Sequence, residues 1–328
     1  MPRIVGGIVL RPPRFVNQAK EGVRPEHRVP ILCRACESGP AMGMTIGYQG
    51  EPGAYSEQAA GLLFPGAELR PYRALRQVFE GVESGALGAG VVPVENSQAG
   101  SINETYDLLA SAGVHIVGEA VIRVDHALLA LPGTSLEAVT RVASHPAALA
   151  QCQEFLSTLD AEIVPVYDTA GAARRIADEH CVGEAAVASE RAAEVYGLET
   201  LARRIQDDEH NFTRFAAVAA DPEPLGPPDK TSLVLVTDHR PGALFHALRP
   251  FAERGVNLVK LESRPSGAGP WKYRFYLDVE AGHDDPAFRG ALEDLRTEAA
   301  AVQVLGSYPR WREPSDEVEA EWSTESTT

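Results

Sequence analysis

The hydrophobic pattern of the chain changes several times along its length. Before residue 44 the apolar residues have no sustained period, and prolines, arginines and glycines are frequent. We expect residues 1–43 to be a disordered extension, or the product of a mis-assigned start, since two methionines stand just before the pattern begins. From Thr45 to about Val218, short apolar runs typical of strands alternate with runs of helical period. This alternation predicts an α/β domain with a largely parallel sheet over residues 44–220.

Individual elements follow from the period of the apolar positions, which is two in a strand and about 3.6 in a helix. The predicted strands cover residues 45–49, 89–94, 115–124, 141–144, 162–166, 185–188 and 212–219. The predicted helices cover residues 55–64, 75–84, 101–111, 146–159, 169–179 and 189–196. Ligands of open α/β sheets bind beyond the carboxyl ends of strands, so polar residues at those ends are candidate site residues.

A second domain is predicted after residues 221–230, a stretch whose prolines restrict the backbone and indicate a linker. Strand, helix, strand, strand, helix and strand then follow over residues 231–237, 242–254, 257–263, 272–280, 284–298 and 301–307. That order is the βαββαβ pattern of a ferredoxin-like sandwich, which we place at residues 231–312. Residues 313–328 carry acidic residues without basic ones, and a solvated, disordered tail is expected there.

The overall charge and the cysteines narrow the class of protein. The formal net charge of −16 opposes binding to nucleic acid or to an anionic membrane. No apolar run reaches the roughly 18 residues that span a bilayer. Four cysteines are too few for a disulfide framework in a chain of this size, which indicates a cytoplasmic protein. Cys33 and Cys36 form a CxxC pair without a second pair, so we expect no metal.

The first polar stretch is a glycine-rich turn at residues 47–56, between a predicted strand and a predicted helix. Such a turn directs backbone N–H groups and the helix dipole towards an anion. Its spacing is neither that of a P-loop nor that of a dinucleotide site, so a merely tight turn is an open alternative.

The second stretch, residues 91–101, takes a buried strand into a polar loop. Glu95, Asn96, Ser97 and Ser101 stand at the carboxyl end of that strand, where a ligand of an open sheet binds. Ser101 followed by Glu104 also resembles a capping box, and the two roles are compatible.

The third stretch, residues 207–215, leads polar residues directly into an apolar strand. Asn211, Thr213 and Arg214 would be costly in a core without partners. A guanidinium at this position suits a carboxylate, which it binds through two parallel hydrogen bonds. A solvated start to the strand is the alternative.

Together these stretches resemble the signatures of the prephenate dehydratase family: a GxxGxYS-like turn, a PxENSxxGS loop and an NxTRF strand start. They occupy residues 50–56, 93–101 and 211–215. Residues 145–152 are similar to the family's HPxxLxQC segment, in which we interpret His145 as a helix start rather than a general acid. Residues 168–170 are similar to its STA turn, with Asp168 in place of serine. Residues 242–244 and 262–265 resemble the GAL and ESRP motifs of the ACT regulatory domain.

The resemblance implies two α/β lobes like those of a type II periplasmic binding protein, with the substrate in the cleft. It implies loss of the ring hydroxide and carbon dioxide from prephenate to give phenylpyruvate, with no cofactor. Thr213 would donate a hydrogen bond to the departing hydroxyl, and Arg214 with the turn amides would hold the carboxylates. The implied catalytic residues are Glu95, Asn96, Ser97, Thr213 and Arg214. The implied substrate contacts are Gly53, Tyr55, Ser56, Ser101, Thr169, Asn211 and Phe215, the last as an apolar wall.

The resemblance also implies inhibition by L-phenylalanine, bound where two ACT domains meet, and therefore a homodimer or homotetramer. The residues implied in that site are Gly242, Ala243, Leu244, Glu262, Ser263 and Arg264. Ala243 and Leu244 could equally be core residues of a helix. Two other functions stay open: an arogenate dehydratase, whose substrate carries an amine in place of the keto group, and a non-catalytic amino-acid sensor.

Overall fold

The computed structural model describes residues 43–265 and 273–312. The proposed extension up to residue 42, its CxxC pair and the acidic tail at 313–328 lie outside the described residues. Within the described part, the chain forms three sheets, of which two belong to the region before the proline-rich stretch and one follows it.

The first lobe is a mixed sheet with helices on both faces. Its strands are β1 (Thr45–Gln49), β2 (Glu68–Tyr72), β3 (Ala89–Asn96), β4 (Gly100–Ser101), β5 (His115–Arg123) and β11 (Phe212–Ala219). They lie in the order β2-β1-β3-β11-β5, with β4 paired to β3. Its helices are α1 (Tyr55–Leu63), α2 (Leu75–Glu83) and α3 (Asn103–Ser111). Strand β1 runs parallel to β2 and β3, whereas β11 runs antiparallel to β3 and β5.

The second lobe repeats this plan. Its strands are β6 (Ala127–Ala130), β7 (Arg141–Ser144), β8 (Glu162–Pro165), β9 (Glu184–Ala188) and β10 (Glu199–Arg203), in the order β10-β6-β9-β7-β8. Its helices are α4 (Pro146–Ala150), α5 (Gln153–Leu156), α6 (Thr169–Glu179) and α7 (Glu190–Tyr196), and Leu136–Ala138 form a 3-10 turn. The chain passes between the lobes twice, over residues 124–126 and 204–211. The predicted two-lobed α/β architecture is confirmed.

Several details differ from the prediction. The sheets are mixed rather than largely parallel, because the chain returns from the second lobe through β11, which inserts antiparallel between β3 and β5. Four strands were not predicted: β2, β4, β6 and β10. Strand β6 is a fully buried apolar run of four residues, and such a run has no alternation to reveal it. The helix predicted at 146–159 is broken into α4 and α5 around Cys152.

The C-terminal domain has the predicted βαββαβ order. Its elements are β12 (Lys230–Val236), α8 (Ala243–Glu253), β13 (Leu258–Pro265), β14 (Tyr273–Val279), α9 (Pro286–Glu298) and β15 (Ala301–Tyr308). The sheet is antiparallel in the order β13-β14-β12-β15. The two helices cover one face through an apolar core that includes Leu233, Phe251 and Phe288.

The other face of this sheet packs on the first lobe. Tyr276 and Tyr308 of the C-terminal domain share one buried cluster with Val92 and Leu109 of the first lobe. Strand β15 lies against β5 so closely that a Cβ on Gly306 would come within 2.0 Å of the Ile116 carbonyl oxygen. The C-terminal domain is therefore fixed to the lobe that carries β3 and β11.

Candidate active site

Asn96, at the end of β3, organises the polar residues of the first lobe. Its Oδ1 accepts hydrogen bonds from the backbone N–H groups of Gln98 and Ala99, at 3.0 and 2.8 Å. The amide nitrogen must therefore face the other way, where it lies 3.0 Å from Thr213 Oγ1 and 2.8 Å from Asn211 Oδ1. Because an amide nitrogen can only donate, Thr213 Oγ1 is the acceptor, and the hydroxyl proton of Thr213 is directed elsewhere.

The hydrogen bonds continue from Asn96 towards the second lobe through two further amide side chains, those of Asn211 and Gln151. Asn211, which is fully buried, donates from Nδ2 to Gln151 Oε1 at 3.0 Å. His126 Nε2 lies 2.9 Å from that oxygen, so the proton of the imidazole is on Nε2. Burial lowers the pKa of His126 and outweighs the opposing effect of Gln151, which keeps the ring neutral. A chain of hydrogen bonds thus joins Thr213 to His126 across the passage between the lobes, with Asn96 donating to Thr213 and Asn211, and Gln151 accepting from Asn211 and His126.

Ser97 fastens the loop after β3 to the start of β11. Its hydroxyl donates to the His210 carbonyl oxygen at 2.9 Å and accepts from the Phe212 N–H at 2.9 Å. Its own N–H donates to the Phe212 carbonyl oxygen at 2.8 Å. The polar groups of Ser97 are therefore engaged in holding the loop, which suits a positioning role.

The glycine-rich turn is packed against the second lobe. Gly50 and Gly53 have φ values of 119° and 86°, which glycine adopts readily. A Cβ on Gly53 would lie 2.7 Å from Ala192 Cα in α7, so the turn can approach this helix only as glycine. The Gly53 N–H donates to Glu57 Oε2 at 2.5 Å, and the Gly50 N–H to the Tyr72 carbonyl oxygen at 2.8 Å. The tight-turn interpretation accounts for these amides without a bound anion.

Two further turn residues lie next to the chain of amides. The hydroxyl of Tyr55 donates to the Asp125 carbonyl oxygen at 2.5 Å and lies 3.5 Å from His126 Nδ1. Burial raises the pKa of Tyr55 well above its usual range, so this hydroxyl stays protonated. Ser56 is buried beside it at the start of α1.

A separate cavity of about 290 Å³ lies where the turn meets the second lobe. Its lining includes Gly50 and Glu51 from the first lobe and Asp168 and Arg174 from the second, and Arg174 bonds to Glu51 at 2.8 Å. Asp168 caps α6 by accepting from the Gly171 N–H at 2.5 Å, and burial raises the pKa of its carboxyl. Thr169, the next residue, is half-buried at the start of α6.

Arg214 points to the opposite face of β11 from Thr213, since successive residues of a strand alternate. Its guanidinium lies 3.1 Å from Glu95, 3.2 Å from Glu119 and 3.0 Å from Asp278 of the C-terminal domain. Lys230 joins the same group at 2.7 Å from Glu119. Burial disfavours the charge of Arg214, but Asp278 and the other acidic neighbours raise its pKa well above the ordinary value.

This geometry corrects two expectations. The guanidinium of Arg214 is bound by three carboxylates of the protein, so it is not presented to a substrate beside Thr213. Phe215 is 2% exposed and packs in the core of the first lobe with residues such as Ile46 and Tyr48, which leaves it no ring surface for a ligand.

The ESRP-like strand β13 contacts the first lobe of its own chain. The hydroxyl of Ser101 donates to Glu262 Oε2, and Lys260 lies 3.0 Å from Glu95. Arg264 pairs with Asp107 of α3 at 3.1 Å. The capping box expected at Ser101 is wrong, because Ser101 belongs to β4 and α3 begins at Asn103.

The remaining candidates of the C-terminal domain lie around the start of α8 and on β13. Gly242 precedes the helix with a φ of 78°, and Ala243 is buried, whereas Leu244 is half-buried. Ser263 is exposed on β13. The side chains of Glu262 and Arg264 are directed instead at the first lobe.

Sequence reasoning assigned no role to several residues of these groups. Gln151 stands out in the sequence only as the glutamine of the HPxxLxQC-like segment at residues 145–152, and no pattern marks His126. Glu119 and Asp278 were also missed, although each is a lone acidic residue inside an apolar strand, and a buried charge of this kind needs a partner. His145 does cap α4, accepting from the Ala147 N–H at 3.2 Å, as predicted.

Among residues 43–265 and 273–312, no group of three or more His, Cys, Asp and Glu side chains could hold a metal ion. Within the same described ranges, no helix has both the length and the apolar character needed to cross a membrane. Cys152 and Cys181 are free thiols, and burial raises the pKa of Cys152 to about 12.

The described residues thus form a two-lobed α/β domain with a polar network where the chain crosses between the lobes, followed by a ferredoxin-like domain that packs on the first lobe. The prephenate dehydratase family model matches residues 46–223, and the ACT domain model matches residues 231–297. The chain belongs to the prephenate dehydratase family and carries a C-terminal ACT domain. Members of this family are carbon–oxygen lyases of the hydro-lyase type.

Two of the individual proteins similar to the chain carry the family's name, and a third is named for another activity. The chain is 45% identical over 275 residues to arogenate dehydratase/prephenate dehydratase 2 of Arabidopsis thaliana, covering 80% of this chain and 72% of the relative. A prephenate dehydratase of Arthrobacter aurescens, solved with L-Phe, superposes with a TM-score of 0.75 at 30% identity, covering 86% of this chain and 98% of the other. GqqA, described as a novel type of quorum quenching acylase, superposes with a TM-score of 0.75 at 36% identity, covering 81% and 98%.

Proposed function

We propose that the chain converts prephenate to phenylpyruvate, carbon dioxide and water, with Thr213 as the hydrogen-bond donor to the departing hydroxyl. The observation that carries this role is the 3.0 Å contact from Asn96 Nδ2 to Thr213 Oγ1. Because Asn96 donates a hydrogen bond to Thr213 Oγ1, the hydroxyl proton of Thr213 is available to donate to a leaving oxygen on which negative charge develops.

The chemistry demands little of the protein beyond this. Breaking the bond to the carboxylate supplies the electron pair that expels hydroxide, which becomes water on taking up a proton, and the ring becomes aromatic. A threonine hydroxyl is too weak an acid to supply that proton outright, so we assign Thr213 the role of a positioned donor or relay. Asn96 and Ser97 hold it in place through the loop after β3.

We retain part of the implied substrate site in this proposal. The residues kept next to the substrate are Tyr55, Ser56 and Thr169. The remaining implied residues are assigned to contacts within the protein, because they have the partners described above: Gly53, Glu95, Ser101, Asn211, Arg214 and Phe215.

Arogenate is the second candidate substrate. The Arabidopsis relative at 45% identity carries both activities in its name, which supports testing both. Arogenate carries an amine where prephenate carries a keto group. Turnover by purified protein, measured in parallel on the two compounds, therefore shows which of them is the substrate. Turnover of neither would favour the non-catalytic sensor.

We also propose that L-phenylalanine regulates the enzyme through the ACT domain, in a homodimer or larger assembly. The proposed contacts are Gly242, Ala243, Leu244 and Ser263. Phe245 and Leu261 of this domain are 67% and 48% exposed, and large apolar side chains on a surface are suited to a second copy. We also propose a cytoplasmic location, because Cys152 and Cys181 are free thiols, as is usual in a reducing compartment.

The decisive experiment is Thr213→Ala. We expect kcat to fall about 10²- to 10⁴-fold with a modest change in KM, the scale of one positioned donor. Thr213→Ser should recover much of the activity, since it restores a hydroxyl. Thr158→Ala is the matched control, because that exposed hydroxyl bonds only to the carbonyl oxygen of Phe155 among the described contacts. Near wild-type turnover in Thr213→Ala would overturn the role.

A further inference from the structure

Strand β13 presents two different faces along its length. The side chains of Lys260, Glu262 and Arg264 turn towards the first lobe and are partly buried, in line with the alternation of a strand. Leu261 and Ser263, between them, are exposed on the other side. One strand of the ACT domain therefore contacts the catalytic lobe with one face and is open to a ligand or a second chain with the other.

Lys260 makes the densest contacts on the inner face. Its ammonium lies 3.0 Å from Glu95 Oε1, 2.9 Å from Ser101 Oγ and 3.3 Å from Glu262 Oε2. It also sits above the Tyr106 ring, 5.2 Å from the centroid. Only 9% of the side chain is exposed, so solvent screens these contacts weakly.

Glu95 and Ser101, two of the catalytic-lobe partners of Lys260, are the two ends of the loop that positions Thr213. Glu95 directly precedes Asn96, and it pairs with Ser101 across β3 and β4. The loop between them is exposed and is held on its other side by Asn96 and Ser97. A cation supplied by the ACT domain thus fixes the end of the loop nearest the regulatory sheet.

We infer that Lys260 is a positioning residue for the reaction, acting through Glu95 and Ser101 on Asn96 and Thr213, and that L-phenylalanine inhibits by moving β13 so that these contacts break. The regulatory half of this inference rests on the proposed function. Misplacement of a reacting group by about 1 Å costs on the order of 10²-fold in rate, so a small shift of the strand suffices.

The test compares Lys260→Met, Lys260→Arg, Glu95→Gln and the double variant Lys260→Met/Glu95→Gln with the wild type. Arg249→Met is the matched control, since it removes an ACT-domain cation whose partners, Glu253 and Glu298, are on the same domain. The readouts are kcat and KM on prephenate, the L-phenylalanine concentration for half-inhibition, and binding of L-phenylalanine by calorimetry. Hydrogen exchange of the Gln98 and Ala99 amides reports on the loop without any turnover.

For Lys260→Met we expect kcat about 10- to 100-fold lower with little change in KM. Because the contacts that L-phenylalanine would break are already absent in this variant, we expect saturating L-phenylalanine to lower its kcat by a smaller factor than in the wild type, while half-inhibition and binding need no more L-phenylalanine than in the wild type. The kcat of the double variant should lie within about twofold of the kcat of the poorer single variant, because both changes break the same contact. Lys260→Arg should lose less, and the Gln98 and Ala99 amides should exchange faster in Lys260→Met.

Wild-type kcat, inhibition and amide exchange in both Lys260→Met and Glu95→Gln would overturn the inference, as would additive losses in the double variant. If Lys260→Met does not fold, Glu95→Gln tests the same contact from the catalytic side. If the wild type turns over neither prephenate nor arogenate, the proposed function fails instead, and the exchange rates of the two amides still decide whether Lys260 positions the loop.

Discussion

Replacing Arg214 by methionine should destabilise the protein strongly, because the side chain neutralises buried charges. Its partners Glu119 and Asp278 are 4% and 6% exposed, and Lys230, at 8%, lies 2.7 Å from Glu119 and 3.8 Å from Asp278. Without the guanidinium, the ammonium of Lys230 is left with the carboxylates of both Glu119 and Asp278. Breaking a buried ionic group by removing one member costs about 3–5 kcal/mol, since the remaining charge is uncompensated.

That cost can be measured as a fall in the melting temperature. About 1 kcal/mol shifts the transition of a domain of 150–250 residues by about 2–4 °C, so we expect a fall of about 6–20 °C in scanning calorimetry. Arg214→Met/Glu119→Gln removes one charge of each sign and should recover about half of the loss or more. Arg70→Met, which breaks an exposed pair with Glu68, should cost under about 1 kcal/mol.

The same variants separate this structural role from direct binding of a substrate carboxylate. A melting temperature within about 2 °C of wild type, together with a large rise in KM, would refute the structural role and restore the substrate contact. Recovery of both stability and turnover in the double variant would support the assignment of Arg214 to the interface between the catalytic lobe and the ACT domain.

Two further predictions follow from single buried positions. Burial lowers the pKa of His126 in the folded state, so the unfolded chain takes up a proton first as the pH falls below 6.5, the ordinary value. The stability contributed by the neutral ring is therefore present above that pH and is lost progressively below it. His126→Gln should flatten the slope of the unfolding free energy against pH below 6.5, and equal slopes in the two proteins would contradict this. Gly306→Ala should lower the melting temperature, since its Cβ would meet the Ile116 carbonyl oxygen, at a cost of about 1–3 kcal/mol. Gly61→Ala, in α1 with open space around it, should instead be neutral or stabilising.

The sequence by itself predicted most of the elements and the proximity of Asn96 to Thr213. Periods of two and 3.6 are written into local stretches, and they located β1, β11 and most of the helices. The PxENSxxGS and NxTRF motifs brought Asn96 and Thr213 together correctly, because β3 and β11 are adjacent and antiparallel with these residues opposite one another.

Only the tertiary structure decided what Arg214 and the ESRP strand contact. Alternation along β11 already places Arg214 on the other face from Thr213, but it does not say what lies there. Glu119, Lys230 and Asp278 come from β5, β12 and β14, so no local pattern joins them to Arg214. Their attraction depends on distance and burial, and packing of the C-terminal sheet on the first lobe sets both.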